Sequence, residues 1–132
     1  MRPWLLVLGA GAAFGCARPQ SQRVPAGSEF ELPIGMAAEV GGGPGVTFMD
    51  VVEDSRCPID AICIQAGRAT VRLAVEHAGN RREIQLSTRE GPAADTVHGL
   101  EIRLIALLPP PRAAAPTPAD SYRVTLQVDS LR

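Results

Sequence analysis

The stretch ATVRLAVEHAGNRREIQLS, residues 69–87, decides the fold. Val71, Leu73 and Val75 recur at every second position, and Ile84 and Leu86 repeat the pattern after Gly79-Asn80. A period of two puts successive side chains on opposite faces, so residues 69–76 and 82–87 are predicted to be strands. A Gly-Asn pair between two such runs tolerates the positive φ of a tight hairpin turn, which predicts an antiparallel hairpin centred on Gly79-Asn80.

The same period extends outward. Downstream, Leu100, Ile102 and Leu104 alternate with Glu101 and Arg103, and Tyr122, Val124, Leu126 and Val128 alternate with Arg123, Thr125, Gln127 and Asp129. Upstream, Phe30, Leu32 and Ile34 share a face opposite Glu29 and Glu31. Pro33 lacks a backbone donor, which predicts an edge strand there. Residues 46–53 are almost continuously apolar apart from Asp50, the pattern of a central strand that bulges near its end. The glycines of GGGPG, residues 41–45, read as a turn. They lack the following Lys and Ser/Thr of a phosphate-cradling loop. Pro109-Pro110-Pro111 and Pro116-Thr117-Pro118 predict a stiff exposed connector, with a proline-rich ligand as the sharper alternative. The expectation is an all-β fold: a single small β-sandwich or barrel of about six to seven mainly antiparallel strands.

Composition bounds the function. A chain of 132 residues is of one-domain size, and its 13 Gly and 12 Pro favour turns over long helices. Net charge is -1 with acids and bases mixed, so no basic field would gather nucleic acid. All 13 basic residues are Arg. That excludes a P-loop lysine, a Schiff-base lysine and a Ser-Lys dyad.

The N-terminus reads as an address. Met1-Arg2-Pro3 is a short positive start, and residues 4–14 form an apolar run too short to cross a bilayer as a helix. Residues 1–15 are therefore expected to be a signal peptide. Ala13-Phe14-Gly15-Cys16 resembles the lipobox of bacterial lipoproteins, although Leu or Val is usual where Ala13 stands and a small residue where Phe14 stands. The resemblance implies a lipid on Cys16. Ala17, rather than Asp, follows it, which by that family's rule implies an outer-membrane protein facing the periplasm in a Gram-negative host. The alternative is cleavage after Gly15 or Ala17 by an ordinary signal peptidase, giving a secreted protein. Residues 16–27 are expected to be the anchor and a flexible tether broken by Pro19 and Pro25, and residues 28–132 the β domain.

The most specific motif is Asp54-Ser55-Arg56-Cys57-Pro58, followed by Cys63 and Ala66-Gly67. The cysteine spacing suits neither a redox Cys-x-x-Cys nor a zinc knuckle, so in an oxidising compartment a Cys57–Cys63 disulfide is expected. Closing so short a loop contributes about 2 kcal/mol. Asp54 and Ser55 are suited to hydrogen-bond the turn backbone. Arg56 either faces a partner carboxylate or balances Asp54 and Asp60. The motif resembles a group of small bacterial secreted proteins and lipoproteins that carry DSRCP, a second cysteine and an Ala-Gly before a Val-rich strand. Members often have Trp before the Ala-Gly, where this chain has Gln65. The resemblance implies fold and location and brings no activity. Asp54, Ser55, Arg56, Pro58 and Asp60 form the candidate interaction loop.

Catalytic chemistry has little to build on. His77 and His98 are the two histidines, both near strand ends, and there is no Gly-x-Ser-x-Gly elbow. Asp50 with Glu53, and Asp54 with Asp60, are carboxylate pairs of a kind common in turns. His77, His98 and Asp95 would form a metal site only if neighbouring strand ends converged. The aromatic residues Phe30, Phe48 and Tyr122 fall on predicted core faces, which disfavours a sugar platform. No catalytic residue, cofactor or metal is assigned. The expectation is a non-enzymatic envelope binding module, held at the membrane by its lipid and contacting an envelope protein. The alternatives are a protease inhibitor using the stapled loop, and a small metal-binding or hydrolytic envelope protein.

Overall fold

The computed structural model describes residues 10–12, 15–16 and 21–131. They contain nine strands, one 3-10 turn at Ala119–Ser121 and no α-helix. The strands are β1 (Ser21–Val24), β2 (Glu29–Pro33), β3 (Ala37–Val40), β4 (Gly45–Asp54), β5 (Ala69–His77), β6 (Asn80–Ser87), β7 (Ala94–Val97), β8 (Leu100–Leu108) and β9 (Arg123–Ser130). They form a five-stranded sheet in the order β1-β3-β4-β5-β6 and a four-stranded sheet in the order β2-β9-β8-β7. The protein is therefore all-β, with two open sheets in place of a closed barrel. All pairings are antiparallel except that of β1 with β3.

Alternation becomes burial along the long strands. In β9, Val124, Leu126 and Val128 are buried between less buried neighbours, and in β2 Phe30 and Leu32 are buried. One apolar cluster draws Leu32, Ile102 and Leu126 from the smaller sheet and Phe48, Leu73 and Leu86 from the larger. Each such side chain contributes roughly 1.5–3 kcal/mol by leaving water. β2 is an edge strand, which suits Pro33. β4 lies at the centre of its sheet, and its register against β5 shifts between Phe48 and Asp50 and again between Val51 and Glu53, the expected bulging.

Three features differ from the sequence reading. β1, β3 and β7 were not predicted, because a four-residue strand offers too few positions to display a period of two. Residues 21–24, expected within the flexible tether, instead pair with β3 as β1, so sheet structure begins before Ser28. The hairpin turn is centred on Ala78-Gly79, because His77 pairs with Asn80. Both central residues have positive φ, 50° and 80°, the geometry that matches the twist of a two-residue hairpin. Most of the expected signal peptide, with Ala13 and Phe14 of the lipobox, lies outside the described residues, whereas Cys16 is an exposed free thiol. No helix among the described residues is long and apolar enough to cross a membrane.

Candidate interaction loop

β4 and β5 are joined by residues 55–68, which have no regular secondary structure. This is well beyond the usual connection of about 4–6 residues, and connections of such length are commonly functional. Asp54 pairs with Ala69 at the mouth of the loop, so its two ends leave the sheet side by side. A neck closes above them. The Ser55 amide donates to the Arg68 carbonyl at 2.8 Å, the Ser55 hydroxyl donates to the same oxygen at 3.0 Å, and the Arg68 amide donates back to Ser55 Oγ at 3.1 Å. A Cβ at Gly67 would overlap the Ser55 carbonyl, so the neck can close only on glycine.

Arg56 anchors the loop to the opposite sheet. Its Nε and Nη2 donate to the two carboxylate oxygens of Asp54 at 2.8 and 2.9 Å, the fork geometry that favours arginine over lysine. Nη1 donates to the Leu107 carbonyl at 2.7 Å and Nη2 also reaches the Pro109 carbonyl at 3.0 Å. The Tyr122 hydroxyl donates to Asp54 Oδ2 at 2.8 Å. Only 16% of the Arg56 side chain and 11% of that of Asp54 are exposed. Burial raises the Asp54 pKa, but hydrogen bonds from Arg56 and Tyr122 and the guanidinium charge outweigh it and leave the carboxyl below its ordinary value of 3.8. Burial and the neighbouring Asp54 carboxylate push the Tyr122 hydroxyl upward.

Farther out, Cys57 and Cys63 form a disulfide with Cα atoms 5.9 Å apart. The Ile59 amide donates to the Pro111 carbonyl at 3.0 Å, and Asp60 Oδ1 accepts from the Ala113 amide at 2.7 Å, a bond that leads the causes holding its carboxyl below the ordinary value. The proline-rich segment thus serves as the loop's wall. Pro58 closes a turn by accepting from the Ala61 amide at 3.2 Å.

The structure therefore gathers Asp54, Ser55, Arg56, Pro58 and Asp60 into one loop, where they act as its internal fastenings. Of the two roles open to Arg56, it takes the pairing with Asp54 and binds carbonyls in place of Asp60. The surface is formed by residues that sequence reasoning passed over. Ile62 and Ile64 are 103% and 105% exposed, and Ile59 is 57% exposed. The available signal was three isoleucines within six residues of a segment with no strand partner.

Elsewhere, His77 and His98 meet across the two sheets with ring centroids 6.3 Å apart. His98 occupies a turn at φ 50°, and its Nε2 is buried without a hydrogen-bond partner among the described residues. Asp95 does not join them, since its Oδ1 accepts from the Thr96 amide at 2.8 Å. Among the described residues no three His, Cys, Asp or Glu side chains converge as metal ligands. Asp50 is paired with Arg72, and Glu53 with Arg68 at 3.4 Å, so each of these carboxylates faces a guanidinium and not the other acid. Comparison with protein-family models, with curated proteins and with solved structures gives no match to this chain.

Proposed function

We propose that the chain is an exported lipoprotein, acylated at Cys16, whose two sheets pack as a β-sandwich. It acts in the cell envelope as a non-enzymatic binding or accessory module, facing the periplasm from the outer membrane in a Gram-negative host. Its contact element is the loop of residues 55–68. The observation that carries this reading is a disulfide-stapled, wall-supported loop with two fully exposed isoleucines at its tip. Exposed aliphatic groups on a pre-ordered element lose little entropy on binding, which is the economy of a recognition loop. The lipobox-like residues and the apolar run before them support export and anchoring.

The test is the intact mass of the mature protein from membrane and soluble fractions, with and without reduction. A membrane-bound species that starts at Cys16, carries acyl mass and gains two hydrogens on reduction is expected. A soluble, unacylated species would overturn the anchor. A second reading, inhibition of an envelope protease by the same loop, is favoured by its rigidity. Stoichiometric block of an endopeptidase by the purified domain would establish it in place of the accessory role.

A further inference from the structure

We propose that His77 and His98 together bind one divalent transition-metal ion, Cu(II) in preference to Ni(II) or Zn(II), where hairpin turns from the two sheets meet. The proposal is independent of the loop of residues 55–68 and gives the domain a ligand whatever that loop contacts. Three observations carry it.

The first is placement. His77 pairs with Asn80 across the two-residue turn Ala78-Gly79, and Val97 pairs with Leu100 across the two-residue turn His98-Gly99. The first hairpin belongs to the five-stranded sheet and the second to the four-stranded sheet, so the imidazoles come together from opposite sheets on short, defined turns. His98 has φ 50°, a conformation that Gly, Asn and Asp adopt most readily. A histidine held there is a local strain of the kind that gathers at functional sites.

The second is an orphan nitrogen. His98 Nε2 is buried and has no hydrogen-bond partner among the described residues. Buried polar atoms are satisfied as a rule, and an ion is one of the partners that accounts for an exception. A plain contact between rings would explain the neighbouring His77 and leave that nitrogen unsatisfied.

The third is spacing and access. Metal–nitrogen bonds of about 2.0–2.1 Å put two imidazoles on one ion with centroids about 5 Å apart at a tetrahedral angle and about 6.4 Å apart when trans. The centroids of His77 and His98 are 6.3 Å apart, which matches a trans pair. Tetragonal coordination of that kind suits Cu(II) and Ni(II), and Cu(II) heads the order of affinities. The interplanar angle of 53° is no obstacle, because each ring can turn about its own metal–nitrogen bond. His77 is exposed, and a cavity of about 470 Å³ lined by Glu39, Gly43 and Glu76 opens beside it. That cavity gives the ion a way in and room for the waters that complete its coordination.

The test titrates the purified full chain, carrying Cys16→Ser so that the free thiol does not compete, with the chlorides of Cu(II), Ni(II) and Zn(II) in turn. One Cu(II) per chain is expected, with hyperfine structure from two imidazole nitrogens in its electron paramagnetic resonance spectrum. Ni(II) and Zn(II) should bind more weakly. Cu(II) should also raise the melting temperature, because it binds the folded chain alone. His77→Gln and His98→Asn should each weaken Cu(II) binding about tenfold or more. Asparagine readily adopts positive φ, so His98→Asn keeps its turn, and an unchanged circular dichroism spectrum without metal checks both folds. The proposal is overturned if no saturable uptake of Cu(II) occurs below about 1 mM. It is equally overturned if fewer than two imidazole nitrogens couple to the ion, or if His98→Asn binds as the wild type does, the behaviour of a lone surface histidine. The intact-mass experiment reads Cys16 and the stapled loop, so either reading can fail while the other stands.

Discussion

The two ends of β5 are connected in opposite ways. At its C-terminal end, Ala78 and Gly79 turn the chain back into β6 in the fewest residues a hairpin allows, and local backbone geometry suffices. At its N-terminal end, residues 55–68 wander away from the sheet and are held by a disulfide, a half-buried ion pair, a glycine-tight neck and a proline wall. Ordering that many backbone residues costs about 1–2 kcal/mol each, and nothing in the sheets requires it. This connection is long and is fastened at several points. What it holds outward is Ile62 and Ile64.

The contrast can be broken most strongly at Arg56. Replacing it by Ala leaves the half-buried Asp54 without its guanidinium, and removes the donors to Leu107 and Pro109. A loss of about 3 kcal/mol is expected in chemical denaturation. Because the folded-state pKa of Asp54 lies below its unfolded value, its contribution is complete above the ordinary value of 3.8 and fades as the pH falls through the folded value. Wild-type stability should therefore drop in that acid range, and Arg56→Ala should show a shallower drop. An unchanged slope would mean that the pair does not set the acid sensitivity.

The staple comes next. Changing Cys57 and Cys63 together to Ser should cost about 2 kcal/mol, while hydrogen exchange accelerates in residues 55–68 and not in the β5–β6 hairpin. Uniform acceleration over both ends would mean that the loop is not a separate unit. The smallest effect belongs to the hairpin end: Ala78 sits at φ 50°, where a Cβ is unfavourable, so Ala78→Gly should stabilise the fold by up to about 1 kcal/mol, read as a small rise in melting temperature. A decrease would show that this turn, too, depends on more than backbone geometry.

The long strands were legible because their apolar residues alternate over enough positions to be recognised. β5, β6, β8 and β9 lie where alternation puts them, and the bulging of β4 follows the polar Asp50 within its apolar run. β1, β3 and β7 were not legible, since β1 carries Val24 as its one large apolar side chain and takes its place from β3, a partner distant in sequence. The disulfide followed from the cysteine spacing together with the oxidising compartment expected of an exported chain. The roles within the loop did not follow, because Arg56 and Ile62 both stand in a stretch without periodicity, where nothing local says which side chain turns inward.

By itself, then, the sequence determined the all-β class, the longer strands, the disulfide pairing and the place where the unusual loop would fall. The strands rest on spacing along the chain, and the disulfide on cysteine spacing within a chain expected to be exported. Tertiary structure alone decided that Arg56 and Asp54 point inward, that the proline connector forms the loop's wall, and that the isoleucines are left outside. The carbonyls of Leu107 and Pro109 and the hydroxyl of Tyr122, which capture this pair, lie more than fifty residues away in the chain and reach it only once the two sheets share one core.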